Sequence, residues 1–252
     1  MRFSTIFAFI LLVFFGFVLF SEKEKIKPLV SSLPSSFAKQ KLPDEFMPEL
    51  LVVELEFSNE IKKLQVGKYE ITIGQWKYCY AEGGCSFLPR LKLNQDDLHP
   101  ITNINFLDAL EYIAWISKRS GNKYRLPTEK EWSLFANLNK EQTKKKLFDD
   151  PRMAWAADYI NYQKQNKITQ EAGAFGENQF GLFDIKGNVW EWTSTCYGSE
   201  NVGQTTMINC GAHIVQGEHR GAIIDFVRNP LAGGCSIGFT PSNLGFRIVR
   251  EL

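Results

Sequence analysis

Residues 181–193 read Gly-Leu-Phe-Asp-Ile-Lys-Gly-Asn-Val-Trp-Glu-Trp-Thr, a run that sets two tryptophans, two carboxylates and two glycines into one bend. Gly187 and Asn188 are the residue types that reach left-handed backbone angles with least strain, so the chain is expected to turn there. Trp190 and Trp192 are two apart and point to one side of an extended segment, which predicts core packing beneath the turn rather than a sugar-binding platform. Asp184 and Glu191 are hard oxygen ligands, and backbone carbonyls of the turn add more, a donor set of the kind calcium takes. The other reading is a metal-free turn in which Glu191 accepts from backbone amides.

Upstream of this run, local signals define the elements. Leu50–Phe57 and Gln65–Thr72 read as strands, and a helix is expected over Ile73–Glu82. Asn105 caps a second helix with Asp108 at its third position and Gly121 past its end, and Leu107, Leu110 and Ala114 recur at helical spacing. Thr128 and Glu131 form a capping box for a third helix, whose apolar face is Trp132, Phe135 and Ala136. Pro127 forces the preceding Tyr124–Leu126 link to be extended. Beyond Phe148 no long helical period appears, and short apolar runs alternate with Gly, Asn, Asp and Ser, so few helices and short antiparallel strands are expected in an α+β body.

Composition narrows the partners. The 252 residues are 44% hydrophobic and 13% aromatic, enough for one sizeable core plus a tail. With 29 basic against 28 acidic residues there is no overall field to recruit nucleic acid, which is excluded as an expected partner. The N-terminus differs from the rest. Ile6–Phe20 is apolar throughout, comes after Arg2 and precedes Ser21-Glu-Lys-Glu-Lys, so residues 1–20 read as a signal anchor or a signal peptide. Residues 3–20 span a bilayer at its minimum length, and either reading exports the chain, placing its folded part on the periplasmic or extracellular side. Residues 21–45, with Pro28, Pro34 and Pro43, read as a flexible tether, and 46–252 as the folded domain.

Five cysteines fit an exported chain. Cys79 and Cys85 flank a short Gly-containing loop, and Cys196 and Cys210 flank a polar one, so two local disulfides are expected; unconnected core thiols are the alternative. Cys235 is left over.

Several blocks occur in order: Val66–Thr72 (VGKYEIT), His99–Asn105 (HPITNIN), Tyr124–Trp132 (YRLPTEKEW), the 181–193 run and Asn243–Arg247 (NLGFR). From about residue 50 onward the chain resembles the formylglycine-generating enzyme, or sulfatase-modifying factor, family. That resemblance implies a low-regularity C-type-lectin-like fold, with Arg125, Glu131 and Arg247 in a polar network. It also implies a structural calcium held by Asp184, Gly187, Val189 and Glu191, the two central residues through their carbonyls.

The same resemblance bears on chemistry. Members that make formylglycine oxidise a sulfatase cysteine with oxygen on a copper(I) ion held by two cysteines, as soft copper(I) requires. Here those positions fall on Ala222 and Val227, neither of which binds copper, so no catalytic residue is assigned and copper is not expected. The turn before them is altered as well. Glu218, His219 and Arg220 replace the usual small and aromatic residues after Gly217, and together with Arg228 they give the groove a different floor. His213 and His219 lie near it without a third ligand for zinc or iron. The resulting expectation is an exported, membrane-tethered binding or accessory module whose groove meets a protein or peptide partner in the cell envelope. The alternative is a family enzyme modifying an exported protein or small molecule by chemistry that does not use the cysteine pair.

Overall fold

Eight residues of β1 (Leu50–Phe57) pair antiparallel with β2 (Glu60–Gly67), from Leu50 opposite Gly67 to Phe57 opposite Glu60. The computed structural model describes residues 43–57, 60–137, 169–197, 210–217, 220–227, 236–237 and 240–252. The expected anchor or signal and nearly all of the tether therefore lie outside the described residues, as do Glu218, His219, Arg228 and Cys235. Among the described residues no helix is long and apolar enough to cross a membrane.

Along the chain come α1 (Ile73–Ala81), α2 (Phe106–Ser120), β3 (Tyr124–Arg125), α3 (Glu129–Phe135), β4 (Trp190–Cys196), β5 (Ala212–Gln216), β6 (Gly221–Ile224), β7 (Phe226–Val227), β8 (Ser236–Ile237), β9 (Leu244–Gly245) and β10 (Val249–Glu251). They form two four-stranded sheets, ordered β1-β2-β10-β3 and β6-β5-β4-β9, with a separate β7-β8 pair. The α+β class and the scarcity of helices agree with expectation. Short antiparallel strands are found as expected in β1-β2-β10-β3 and β6-β5-β4, while β4 runs parallel to β9 and β7 parallel to β8. The second strand also lies earlier than expected, since the backbone of Ile71 leaves β2 and bonds instead to Phe246 and Ile101.

All three helices begin with reciprocal capping boxes, at Thr72 with Gln75, Asn105 with Asp108 and Thr128 with Glu131, and α2 ends at Gly121 with φ 72°. These boxes satisfy amides that the first helical turn leaves without partners. The buried face of α2 matches the expected one only in part. Leu110 is half-buried against the core, but Leu107 is 48% exposed and Ala114 is exposed, whereas Phe106, Ala109, Tyr112, Ile113 and Ile116 are buried. Rotating the helix buries the large rings, and area removed from water decides between two stripes of similar spacing.

Two apolar clusters result. One joins α1 and α2 to the β4 sheet through Trp76, Tyr112, Trp115, Trp190, Trp192 and Phe246; the other packs α3 onto β1 and β2 through Trp132, Phe135, Leu55 and Leu64. Both expected disulfides are formed, Cys79–Cys85 within the first cluster and Cys196–Cys210.

Candidate functional site

The 181–193 run makes its turn as expected but through different residues. Asp184 (φ 62°) and Asn188 (φ 60°) take the left-handed angles, while Gly187 does not. A Cβ at Gly187 would lie 2.8 Å from the Phe175 ring, so a larger residue there would displace that exposed side chain. Asp184 holds the preceding loop, its two carboxylate oxygens accepting from the amides of Gly173 (2.5 Å) and Phe175 (2.8 Å). After the turn, β4 buries Trp190 and Trp192 in the first cluster, and Trp192 Nε1 donates to the Ile104 carbonyl at 3.0 Å. The core reading of both tryptophans therefore holds.

Glu191 points into the protein. Arg247 Nε lies 2.9 and 2.8 Å from its two oxygens, Arg247 Nη2 donates at 2.7 Å, and Trp132 Nε1 donates at 2.7 Å. Arg247 is fully buried and uses its remaining N–H groups on the carbonyls of Gly67, Lys68 and Phe183, so all five donors are engaged. Burial works against the guanidinium charge, and Glu191 more than restores it, leaving Arg247 above its ordinary range. One ion pair thus ties β4 to the end of β2 and to the 181–193 turn.

The carboxylates of Asp184 and Glu191 accept from amides, an indole and a guanidinium, and Arg247 offsets the charge of Glu191. Each carboxylate oxygen accepts at more than one lone pair, so these bonds do not remove the two acids from the donor set that resemblance implies with the carbonyls of Gly187 and Val189. Saturating a calcium site at a hundredfold over its Kd adds about 2.7 kcal/mol. Thermal unfolding in calcium and in EDTA is the measurement: a calcium-dependent rise in Tm is expected from a held ion, and coincident curves remove the site.

A second network closes the outer edge. Arg125 makes paired hydrogen bonds to Glu131 (2.6 and 2.7 Å) and reaches Glu251 (2.5 Å), with Lys62 joining both acids. Burial alone would raise the Glu131 carboxyl; the Arg125 bonds and the Thr128 amide outweigh it and hold it below the usual carboxylate range. The family-matched charges are therefore structural pairs, as buried charges must be.

The candidate groove is the β5–β6 hairpin and the strand after it. Ile214 faces Ala222 across the pair and Val215 faces Gly221, while Val227 lies on β7, paired with Ile237 of β8. Gly217 is buried at the mouth of the turn, where a Cβ would meet the Trp190 ring at 2.5 Å. Arg220 reaches across to α3 and pairs with Glu129, its Nη2 at 3.2 Å from Oε2 and its Nε closer still. Sequence patterns gave no sign of this clasp, because 91 residues separate the partners.

His213 belongs to the core beneath the hairpin. It is fully buried, stacks on Phe106 with ring centroids 3.5 Å apart, and its Nδ1 lies 2.7 Å from Asp225 Oδ1. His99 is similarly occupied with Asp96 at 2.8 Å. Among the described residues neither belongs to a group of three His, Cys, Asp or Glu side chains placed to hold a metal.

Known proteins share this arrangement in sequence and in fold. Formylglycine-generating enzymes of Thermomonospora curvata (29% identical over 112 residues, 40% of this chain and 35% of that protein) and Mus musculus (33% over 109 residues, 38% and 27%) are similar to it. So is the inactive C-alpha-formylglycine-generating enzyme 2 of Bos taurus, 32% identical over 106 residues, 39% of this chain and 33% of that protein. These matched segments span about a third of the curated relatives' length. Among solved structures, PvdO from Pseudomonas aeruginosa superposes with a TM-score of 0.55 at 20% identity, covering 82% of this chain and 96% of that one, which establishes the shared fold. The family model for the sulfatase-modifying factor enzyme 1-like domain matches residues 53–252, and with the buried Glu191–Arg247 core beneath the 181–193 turn this chain belongs to that family.

Proposed function

We propose that this protein is a non-catalytic binding or accessory module of its family, exported and tethered to the membrane through residues 3–20. The domain stands on the periplasmic or extracellular side and presents the face around Gly217–Arg228 to a protein or peptide partner in the cell envelope. The observation that carries this reading is the pair Ala222 and Val227 at the positions where resemblance puts the copper-binding cysteines. Methyl and isopropyl groups offer copper(I) no thiolate, and the oxidation has no other soft ligand pair to use in that turn. The clasp from Arg220 to Glu129 supports the reading, since it braces the hairpin with an ion pair where a substrate cleft needs open walls. An inactive relative in Bos taurus is consistent with a scaffold that persists without the activity.

The test uses the full chain in detergent with a Cys-x-Pro-x-Arg peptide, oxygen and copper(I), read by mass spectrometry. No aldehyde is expected. Elemental analysis of the same preparation should find no stoichiometric redox metal, and aldehyde formation or a bound iron or copper would establish the enzyme reading. Crosslinking in intact envelopes, with identification of the captured chain and repetition with Arg220→Ala, identifies the partner face; capture that does not depend on Arg220 removes the hairpin from it.

A further inference from the structure

Three strands of the first sheet and the turn after α2 border a cavity of about 390 Å³, lined by Gln65 on β2, Asn122 and Lys123 in the turn, Arg125 on β3, and Arg250 and Glu251 on β10. Leu252 adds an apolar wall. Part of this charge is already spent. Glu251 accepts from Arg125 at 2.5 Å and from Lys62 at 2.9 Å, and both cations also meet Glu131, so these two cations and two acids cancel. Lys123 and Arg250 are not neutralised in this way. Among the described residues Lys123 makes no ion pair, and the hydrogen bond of the Arg250 guanidinium is the one its Nε donates to Gln65. The Arg250 Cζ lies over the Tyr124 ring, 5.8 Å from its centroid, so the half-buried guanidinium is held at one edge by an amide oxygen and on one face by an aromatic ring. Its Nη groups, with four of its five N–H donors, are left for another partner. Even a carboxylate on Leu252 leaves the lining net positive.

A cation on an open face is simply solvated. This pair differs because it borders a concavity and because one member is fixed before any ligand arrives. An arginine already oriented gives up less side-chain freedom on binding, and its paired Nη groups match two oxygens of one carboxylate or phosphate. The volume lies within the range of small-molecule sites and exceeds what a bare ion fills. We propose that the cavity binds a small organic anion, with its carboxylate or phosphate group clasped by the Arg250 fork, its charge offset by Lys123 at the rim, and its body against Leu252. Gln65 is a positioning residue that holds the fork through Nε. The cavity belongs to the first sheet and the β5–β6 hairpin to the second, so this site does not rest on the partner face around Gly217–Arg228.

The test is titration calorimetry of the full chain in detergent with glycerol 3-phosphate and, separately, with succinate, at low ionic strength where screening is weak. Saturable binding of at least one probe is expected; the phosphate ester alone assigns a phosphate ligand, and succinate alone a carboxylate. Arg250→Lys keeps the charge and loses the fork, and Arg250→Gln loses both, so each should weaken binding about tenfold or more, the scale of a lost charge-assisted hydrogen bond. Lys123→Ala should weaken it by about threefold, as an exposed charge does. That side chain is exposed, so the variant keeps the test open if the Arg250 variants do not fold. Lys92→Ala, at an exposed lysine outside the cavity, should bind as wild type does. Absence of saturable binding by both probes overturns the inference. Binding that persists unchanged in the cavity variants, or that Lys92→Ala weakens as much as Lys123→Ala does, marks an adventitious ion only and overturns it as well.

Discussion

Arg247→Leu is expected to cost the domain about 3–5 kcal/mol, a large share of the roughly 5–15 kcal/mol that holds a typical domain folded. Leucine leaves the Glu191 carboxylate buried with only the Trp132 indole as donor, and it removes the guanidinium from the carbonyls of Gly67 and Phe183, while the Lys68 carbonyl keeps the Phe183 amide. Urea unfolding monitored by tryptophan fluorescence measures the loss. The diagnostic comparison is the double variant Arg247→Leu/Glu191→Leu, which removes both charges. It should be more stable than Arg247→Leu alone, because most of the penalty is the stranded charge rather than the missing attraction. A double variant whose loss equals the sum of the two single losses would show that the pair does not act as a unit.

Trp192→Ala is expected to have an effect of similar size, about 3–5 kcal/mol for a deleted core indole. The ring is fully buried, meets Phe106 edge to face with centroids 5.7 Å apart, and donates to the Ile104 carbonyl. Trp192→Phe separates the two contributions, since it retains most of the ring while leaving that carbonyl without its donor, at about 1–3 kcal/mol. If both variants unfold at wild-type urea concentrations, β4 is not the centre of the first cluster.

The helices were legible because capping is local. Thr128 and Glu131, or Asn105 and Asp108, lie three residues apart and announce themselves whatever surrounds them. The face that α2 buries was legible only at Leu110, since Leu107 and Ala114 fit the helical period as well as Phe106, Ala109 and Ile113 do, and only the opposing sheet selects between the stripes. The two-residue strands β3, β7, β8 and β9 carry too little pattern to read, and nothing within a strand says whether its partner will run parallel. The Arg220 clasp to Glu129 had to await the fold, because it joins a hairpin turn to a helix start 91 residues away.

By itself, the sequence determined the family, the helix starts and the disulfide pairs, all of which depend on residue identity or on spacing of a few positions. What only the tertiary structure decided is the use of the charges. Along the chain Asp184 and Glu191 give no sign of which donors they meet, because carboxylates draw no distinction between partners until the partners arrive. Folding brings Arg247 to Glu191 across 56 residues, occupies every donor of that guanidinium, and leaves Glu70 in the same interior without one. Electrostatic energy depends on distance through a low-dielectric interior, and those distances are set by packing rather than by order along the chain.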